Sequence, residues 1–271
     1  ILINNWFMMF FLSVVLIGTT YPIFLEVLTS QKISVGPPFY QKLFSFFLIP
    51  FLFFMTYGPK LKWIKNEIKK INYQQIFLFL LSLGISYLIV RISGTKYLFI
   101  IFLFSFAFLL FFTTIRDFFV KNTIISQRIS HFAFSIFILS ILFNGIFASE
   151  FSSNMKVGDE IKFKDKSIKF KSLNTFEKFN YKSLIGEFKI VDKNTKVSFF
   201  YPEIRIFNQP SILTSEADIK TNIFTDNFLV FNLLKDDGYF NVRYQYKPLM
   251  LWIWISITFM VIGGALGFKK K

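Results

Sequence analysis

The chain has 271 residues, a formal net charge of +15 and a hydrophobic content of 54%. A soluble domain of this length could not bury so much apolar surface, so the composition excludes an ordinary soluble globular protein. The sequence contains no cysteine, which excludes disulfides, cysteine-ligated zinc and thiol chemistry carried by this chain.

Six apolar segments lie along the chain, each close to the ~20 residues that span the hydrocarbon core of a bilayer. They cover residues 5–23, 41–57, 74–90, 97–115, 130–149 and 248–268. The sequence therefore predicts a polytopic α-helical membrane protein with about six transmembrane helices. Five of them form a membrane domain over residues 1–149, and the sixth follows a polar insertion. A membrane segment begins almost at once after Ile1, so we expect the chain to be the C-terminal part of a longer protein.

Basic residues are distributed unequally between the two sets of loops. Eleven Lys and Arg lie between segments two and three, between segments four and five, and in the tail at 269–271, whereas the short loops of the opposite side have only Lys32, Arg91 and Lys96. Basic loops face the cytoplasm or the organellar matrix, so we expect both ends of the chain on that side. The excess of basic residues beside apolar segments indicates contact with membrane lipid. No nucleic-acid-binding motif is present in the sequence, and no nucleic acid is expected as a partner.

The polar insertion at 150–247 lies on the opposite, external side in this topology. Apolar and polar residues alternate over 185–191, 217–224 and 240–246, which predicts half-buried strands. Asp237-Gly238 lies between two such stretches and predicts a tight hairpin turn. About eight strands in this length predict an external all-β domain, a small barrel or a sandwich.

One external loop carries the segment Ser34-Val35-Gly36-Pro37-Pro38-Phe39-Tyr40. Consecutive prolines after glycine fix an extended backbone, and the aromatic residues add an apolar surface. A rigid connection between two helices is the simpler interpretation. The sharper alternative is a partner-facing loop, formed by Ser34, Val35, Gly36, Pro37 and Phe39.

The single histidine of the sequence, His131, lies at the start of the predicted fifth helix, near the cytoplasmic surface. An imidazole in a membrane can ligate haem iron or relay protons, and a titratable side chain at membrane depth is a functional candidate. An interfacial histidine that reaches water fits the sequence equally well. One histidine cannot supply both axial ligands of a haem, so a second ligand would come from outside this chain.

No Ser-His-Asp arrangement, phosphate loop or metal-ligand cluster is visible in the sequence. The weaker external candidates are Arg205, Glu216 and Arg243, for which a solvated or surface-paired role is the simpler explanation. In the last helix, Gly263-Gly264 predicts a close helix contact, and Trp252 and Trp254 are interpreted as anchors at the membrane interface.

Short motifs along nearly the whole chain resemble, in order, the cytochrome c-type biogenesis family CcmF, the haem-lyase subunit of the Ccm maturation system. The motifs are Ile17-Gly18-Thr19-Thr20-Tyr21-Pro22, Ile33 to Phe39, Tyr57-Gly58-Pro59 to Lys62-Trp63, Met155-Lys156-Val157-Gly158-Asp159, Asn180-Tyr181, Thr214-Ser215-Glu216-Ala217, Val242-Arg243, and Tyr246-Lys247-Pro248 with Trp252-Ile253-Trp254 and Gly263-Gly264.

This resemblance implies a function in cytochrome c maturation. Members of the family take haem from the carrier CcmE and join it to Cys-x-x-Cys-His of apocytochrome c, which a CcmH-type subunit handles. They also hold a haem b in the membrane. The resemblance implies that His131 is an axial ligand of this haem b. The family pattern there is close to His-Leu-Gly, and this chain has His131-Phe132-Ala133.

The resemblance also implies that the chain is half of the functional unit. The family's Trp-rich external segment, its external haem-binding histidines and the partner axial histidine belong to an N-terminal part that this chain lacks. We therefore expect a haem-lyase component that is inactive alone. The implied location is the bacterial inner membrane with a periplasmic β domain, or the mitochondrial inner membrane if the chain is organellar.

Two other classes of function remain open from the sequence. A membrane transporter fits the apolar helices, although paired intramembrane charges and broken helices are not evident. A non-catalytic assembly scaffold would differ from a haem lyase in cofactor content rather than in sequence.

Overall fold

The computed structural model of the chain describes residues 2–30, 32–58, 73–120, 123–192, 196–234 and 238–268. Six α-helices lie within these ranges: α1 (Leu2–Thr29), α2 (Pro37–Tyr57), α3 (Tyr73–Ser93), α4 (Leu98–Val120), α5 (Ile125–Phe147) and α6 (Met250–Phe268). Several sequence predictions fall outside the described residues, namely the basic loop at 60–70, Lys121, Asp237 of the hairpin turn and the tail at 269–271.

All six described helices are long and apolar enough to cross a membrane, and each overlaps one predicted segment. The shortest, α6, has 19 residues and the longest, α1, has 28. At about 1.5 Å per residue, even the shortest helix reaches nearly across the ~30 Å hydrocarbon core. The predicted fold class, a polytopic helical membrane protein with an inserted all-β domain, is confirmed.

Three helices extend by five or six residues beyond one end of the apolar segments that predicted them. Helix α1 continues to Thr29 rather than ending at residue 23, and α4 continues to Val120 rather than ending at 115. Helix α5 begins at Ile125 rather than at residue 130. Hydropathy detects only the apolar part of a helix, whereas the backbone hydrogen bonds of the helix continue into polar turns on either side. The difference places Asp117 and the residues before His131 within helices.

In the described part of the chain, ten strands lie between α5 and α6, rather than the predicted number of about eight. They are β1 (Ser149–Met155), β2 (Glu160–Phe163), β3 (Lys166–Glu177), β4 (Tyr181–Asp192), β5 (Val197–Phe200), β6 (Glu203–Phe207), β7 (Leu213–Glu216), β8 (Asp218–Thr221), β9 (Thr225–Leu233) and β10 (Phe240–Pro248). One sheet has the order β1-β10-β9-β8, and the other has the order β2-β3-β4-β6-β7 with β5 paired to β4. Two packed sheets make a β-sandwich, which decides between the two predicted architectures.

Aromatic residues from both sheets form the core of this sandwich. Phe170 and Phe188 stack with ring centroids 4.3 Å apart, and Phe231 of the other sheet meets both rings edge-on. A Cβ at Gly186 would lie 2.7 Å from a ring carbon of Phe188, so only glycine leaves room for that ring. Tyr244 closes the core from β10 and is almost completely buried.

The chain forms two compact units, residues 1–142 with 255–271 (the membrane unit) and residues 143–254 (the β unit). In the membrane unit, aromatic rings join α1 to α2, with Phe7 and Phe51 at a centroid separation of 5.5 Å. Gly18 of α1 faces Tyr40 of α2, and a Cβ there would come within 2.9 Å of the Tyr40 ring. The motif around Gly18 therefore sets the close approach of the first two helices.

Candidate functional site

His131 lies in the second turn of α5, six residues after Ile125. At about 1.5 Å per residue, this distance places it roughly 9 Å along the helix from its first residue. The sequence had placed His131 within about one turn of the helix start, because the apolar segment begins only at residue 130. Ala133, two residues later, is almost completely buried.

The His131 side chain borders a cleft of about 680 Å³, here called the His131 cleft. Four helices of the membrane unit contribute to its walls. Its lining residues are Asn4, Asn5, Met8, Phe51, Phe54, Met55, Gly58, Gln127, Ser130, His131, Phe134 and Met260. Cofactor sites are typically apolar clefts of about 300–1,000 Å³ with a few placed polar groups, and this cleft matches that description.

A second, much smaller cavity borders His131 and is called here the Asp117 cavity. It has a volume of about 10 Å³, the size of one water molecule, and is lined by polar groups that include Asp117, Thr114 and Arg128. Asp117 is 8% exposed and belongs to the last turns of α4. His131 therefore lies between an apolar cleft and a polar cavity that contains a buried carboxylate.

Helix α6 approaches α5 closely next to His131. A Cβ at Gly263 would lie 2.9 Å from the backbone nitrogen of Ser130 and 3.1 Å from the backbone oxygen of Ser126. Gly264 has open space instead, since a Cβ there would meet nothing within 4 Å. The predicted close helix contact is thus confirmed for Gly263 and is wrong for Gly264, because only one face of α6 meets α5.

The donor set of the His131 cleft fits a haem. An imidazole is a common axial ligand of haem iron, and the rings of Phe51, Phe54 and Phe134 supply apolar surface for a macrocycle. A carboxylate next to a ligating imidazole commonly fixes the ring and raises its basicity, and Asp117 shares the Asp117 cavity with His131. Over the described ranges, no group of three or more His, Asp or Glu could hold a metal ion by itself.

The predicted partner-facing loop forms the entry to α2. Gly36 is the N-cap residue with an extended backbone, and Pro37 occupies the first helical position, where its missing N–H costs nothing. Ser34 and Phe39 are exposed, and Val35 is partly buried. This geometry agrees with a rigid connection, and the exposed side chains leave the docking interpretation as a prediction.

Arg205 and Glu216 lie next to each other in the β unit, on β6 and β7. Arg205 donates to Glu203 at 2.9 Å and lies 3.7 Å from Glu216, with Tyr181 under its guanidinium. The hydrogen bond from Arg205 holds the pKa of Glu203 below its ordinary value. These contacts make a surface ion-pair cluster, as expected for surface-paired side chains.

Arg243 lies on the other sheet, on β10, and pairs with β1. Its Nε lies 2.5 Å from a carboxylate oxygen of Glu150, and Gln245 donates to the second oxygen at 2.9 Å. The hydrogen bond from Arg243 lowers the pKa of the Glu150 carboxyl. The three weaker candidates thus occupy two separate positions, one on each sheet.

The β unit contains a polar cluster that the sequence did not predict. Lys166 donates to the Tyr244 hydroxyl at 2.6 Å, and that hydroxyl donates to Asn227 at 2.6 Å. Burial lowers the pKa of the Lys166 ammonium and raises that of Tyr244. The three residues come from β3, β9 and β10, and such a long-range convergence leaves no local signal. Asp117 was missed for a different reason, because the apolar segment ended before it.

The chain is similar to proteins of cytochrome c-type biogenesis. Residues 146–248 match the family model described as the CcmF C-terminal beta-sandwich. Over 275 residues the chain is 24% identical to the cytochrome c-type biogenesis protein CcmF of Escherichia coli (strain K12), covering 98% of this chain and 42% of that protein. It is 26% identical over 282 residues to CcmF of Haemophilus influenzae, covering 98% and 44%. It is 25% identical over 294 residues to CycK of Rhizobium meliloti, covering 100% and 43%.

One solved structure shares the fold. It is described as Cytochrome c Heme Lyase CcmF and superposes with a TM-score of 0.74 at 17% sequence identity. The match covers 97% of this chain and 44% of the solved one. The chain therefore spans less than half the length of the relatives and of the structure that it matches.

Proposed function

Because this chain resembles the C-terminal part of CcmF along its whole length, we propose that it acts in cytochrome c maturation as one component of a haem lyase. The names of its relatives and of its structural neighbour support this proposal. The substrates proposed are haem, delivered by the carrier CcmE, and the Cys-x-x-Cys-His segment of apocytochrome c, presented by a CcmH-type subunit. The chain covers 42% of a CcmF relative, and the remaining haem-binding groups are proposed to come from the part of the family that it does not cover.

The observation that carries the proposal is the position of His131 on the 680 Å³ cleft. In the proposal, His131 would ligate the iron of haem b, and the phenylalanines of the cleft would contact its macrocycle. Bound haem b supplies one-electron transfer at this site. The residues of this chain hold the cofactor, exclude water from its apolar faces and fix the imidazole that ligates it.

Asp117 has the role of orienting His131 in this proposal. Both residues border the same water-sized cavity, and Asp117 is buried there. A carboxylate on the far side of a ligating imidazole favours the tautomer whose other nitrogen faces the metal. The second axial ligand is proposed to come from the N-terminal part, since His131 is the only histidine of this sequence.

The β unit is proposed to lie on the periplasmic side of a bacterial inner membrane, or on the equivalent side of the mitochondrial inner membrane. The eleven basic residues of the loops and tail on the opposite side of the membrane domain support this orientation. The loop from Ser34 to Phe39 lies on the same side in this topology. Its exposed side chains make it the proposed partner-facing surface of the membrane unit.

The haem content of the assembled protein tests this function. The chain is coexpressed with the N-terminal part of a CcmF relative, purified in detergent, and examined by its reduced visible spectrum and by haem content. We expect His131→Ala to lose most of the haem b signal and His131→Gly to regain part of it with added imidazole. Ile141→Ala is the matched control, because Ile141 lies on the same helix and is exposed.

The outcomes separate the classes of function. An unchanged spectrum in His131→Ala would show that the ligand assignment is wrong. A protein that copurifies with apocytochrome c but never contains haem would be a scaffold. A loss of c-type cytochromes in cells that carry His131→Ala, without loss of membrane insertion, supports the haem lyase.

A further inference from the structure

The hairpin that joins β8 to β9 has an unusual tip, formed by residues 222–224 (the β8–β9 tip). Its two apolar side chains are exposed, Ile223 to 61% and Phe224 to 67%. Isolated exposed apolar residues are common on protein surfaces, but two adjacent large ones at a hairpin tip are costly in water. The environment of this tip therefore needs an explanation.

The backbone of the tip is hydrogen-bonded within the protein. The Asn222 side-chain oxygen accepts from the backbone N–H groups of Phe224 and Thr225, at 2.9 and 2.8 Å. The Phe224 carbonyl accepts from the Leu249 N–H at 2.8 Å. The Ile223 carbonyl accepts from the indole N–H of Trp252 at 2.9 Å. Backbone groups can enter lipid only when they are satisfied internally, and the two tip carbonyls meet that condition.

These hydrogen bonds connect the tip to the start of α6, and the length of α6 therefore fixes the depth of the tip in the membrane. Helix α6 has 19 residues, so it is about 28 Å long and barely spans a hydrocarbon core of ~30 Å. Its first turn, with Trp252, must then lie at the boundary between the headgroups and the acyl chains. Tryptophan is enriched at that level. Ile223, bonded to the Trp252 ring, lies at the same level.

We propose that the β8–β9 tip inserts its Ile223 and Phe224 side chains into the lipid bilayer beside α6. Trp254, two residues after Trp252 and in the same compact unit as the tip, adds a further apolar side chain that is 63% exposed. The occupant of this surface is therefore lipid rather than a protein. The β unit is already connected to the membrane through α5 and α6, and the tip gives it a further membrane contact. This contact limits tilting of the β unit against the membrane surface.

Cysteine labelling tests the insertion, because the native sequence has no cysteine to interfere. Phe224→Cys is labelled with a polarity-sensitive fluorophore in the full 271-residue chain reconstituted into phosphatidylcholine liposomes. The matched control is Phe179→Cys, which replaces a fully exposed phenylalanine at the β3–β4 tip. That tip is closed by its own hydrogen bond from Lys178 to Tyr181.

Lipid insertion predicts different results at the two sites. Spin-labelled lipid is expected to quench the label at residue 224 several-fold. Before labelling, the thiol of Phe224→Cys should react several-fold more slowly with a membrane-impermeant reagent than the thiol of Phe179→Cys. Equal quenching and equal reactivity at both sites would overturn the proposal. Protection of residue 224 from the reagent without quenching by lipid would also overturn it, since a protein surface would then cover the tip.

Discussion

The contact between Gly263 and α5 gives a sharp test of how the His131 site is built. Replacing Gly263 with alanine would place a Cβ 2.9 Å from the Ser130 nitrogen and 3.1 Å from the Ser126 oxygen. Ordinary van der Waals contact begins near 3.4 Å, so the two helices would have to separate by roughly half an ångström. The Ser130 hydroxyl oxygen lies closer still and can move with a change of rotamer, but these two atoms are backbone, and no rotamer change relieves their clash.

Overpacking of this kind typically costs about 1–3 kcal/mol, which is about a 5- to 150-fold change in the folding equilibrium. Gly264→Ala is the matched control on the same helix, because a Cβ there meets nothing within 4 Å. Alanine also has a higher helix propensity than glycine, by up to about 1 kcal/mol. The two neighbouring substitutions should therefore shift stability in opposite directions.

Thermal unfolding in detergent micelles, followed by far-ultraviolet circular dichroism, measures both variants. Gly263→Ala should unfold at a lower temperature than the parent, and Gly264→Ala should not. A Gly263→Ala variant as stable as the parent would refute the close contact. Full recovery of stability in Gly263→Ala combined with Ser130→Ala would also refute it, because the obstruction would then be the serine hydroxyl rather than the backbone.

Three further predictions concern the site and the β unit. Asp117→Asn should weaken haem b retention about 10- to 100-fold and raise the reduction potential of the haem, because the His131 imidazole loses a partner that raises its basicity. Spectroelectrochemical titration measures the potential, and an unchanged potential would contradict the proposed role of Asp117. Phe188→Ala should cost about 3–5 kcal/mol in chemical unfolding of the β unit, since the ring is fully buried, whereas Phe179→Ala should be neutral. Arg243→Gln should cost at most about 1 kcal/mol at neutral pH, because both partners of its ion pair with Glu150 are about half exposed. The folded-state pKa of Glu150 is lowered, so this contribution is present above the ordinary Glu pKa and is lost as pH falls through the folded value; a difference that persists in acid would contradict the assignment.

The number and positions of the helices could be predicted from the sequence because membrane spans follow from apolar length alone. The ends of the helices could not be predicted in this way. Polar residues such as Asp117 and Gln127 stop an apolar segment without stopping the backbone hydrogen bonds of a helix. The strand count was low for a related reason, since short strands such as β7 and β8 are only four residues each and carry little periodic signal.

The same limit explains which part of the candidate site was visible in advance. His131 stood out because it is the only histidine and lies in an apolar segment. Its surroundings depend on contacts between residues far apart in sequence, such as Met8 and Met260 on one side and Asp117 on the other. No local pattern encodes these contacts, because each comes from a separate helix whose rotation is set by packing. Gly263 illustrates the point: the Gly-Gly pair predicted a helix contact, but only the fold distinguishes the glycine that touches α5 from the one that does not.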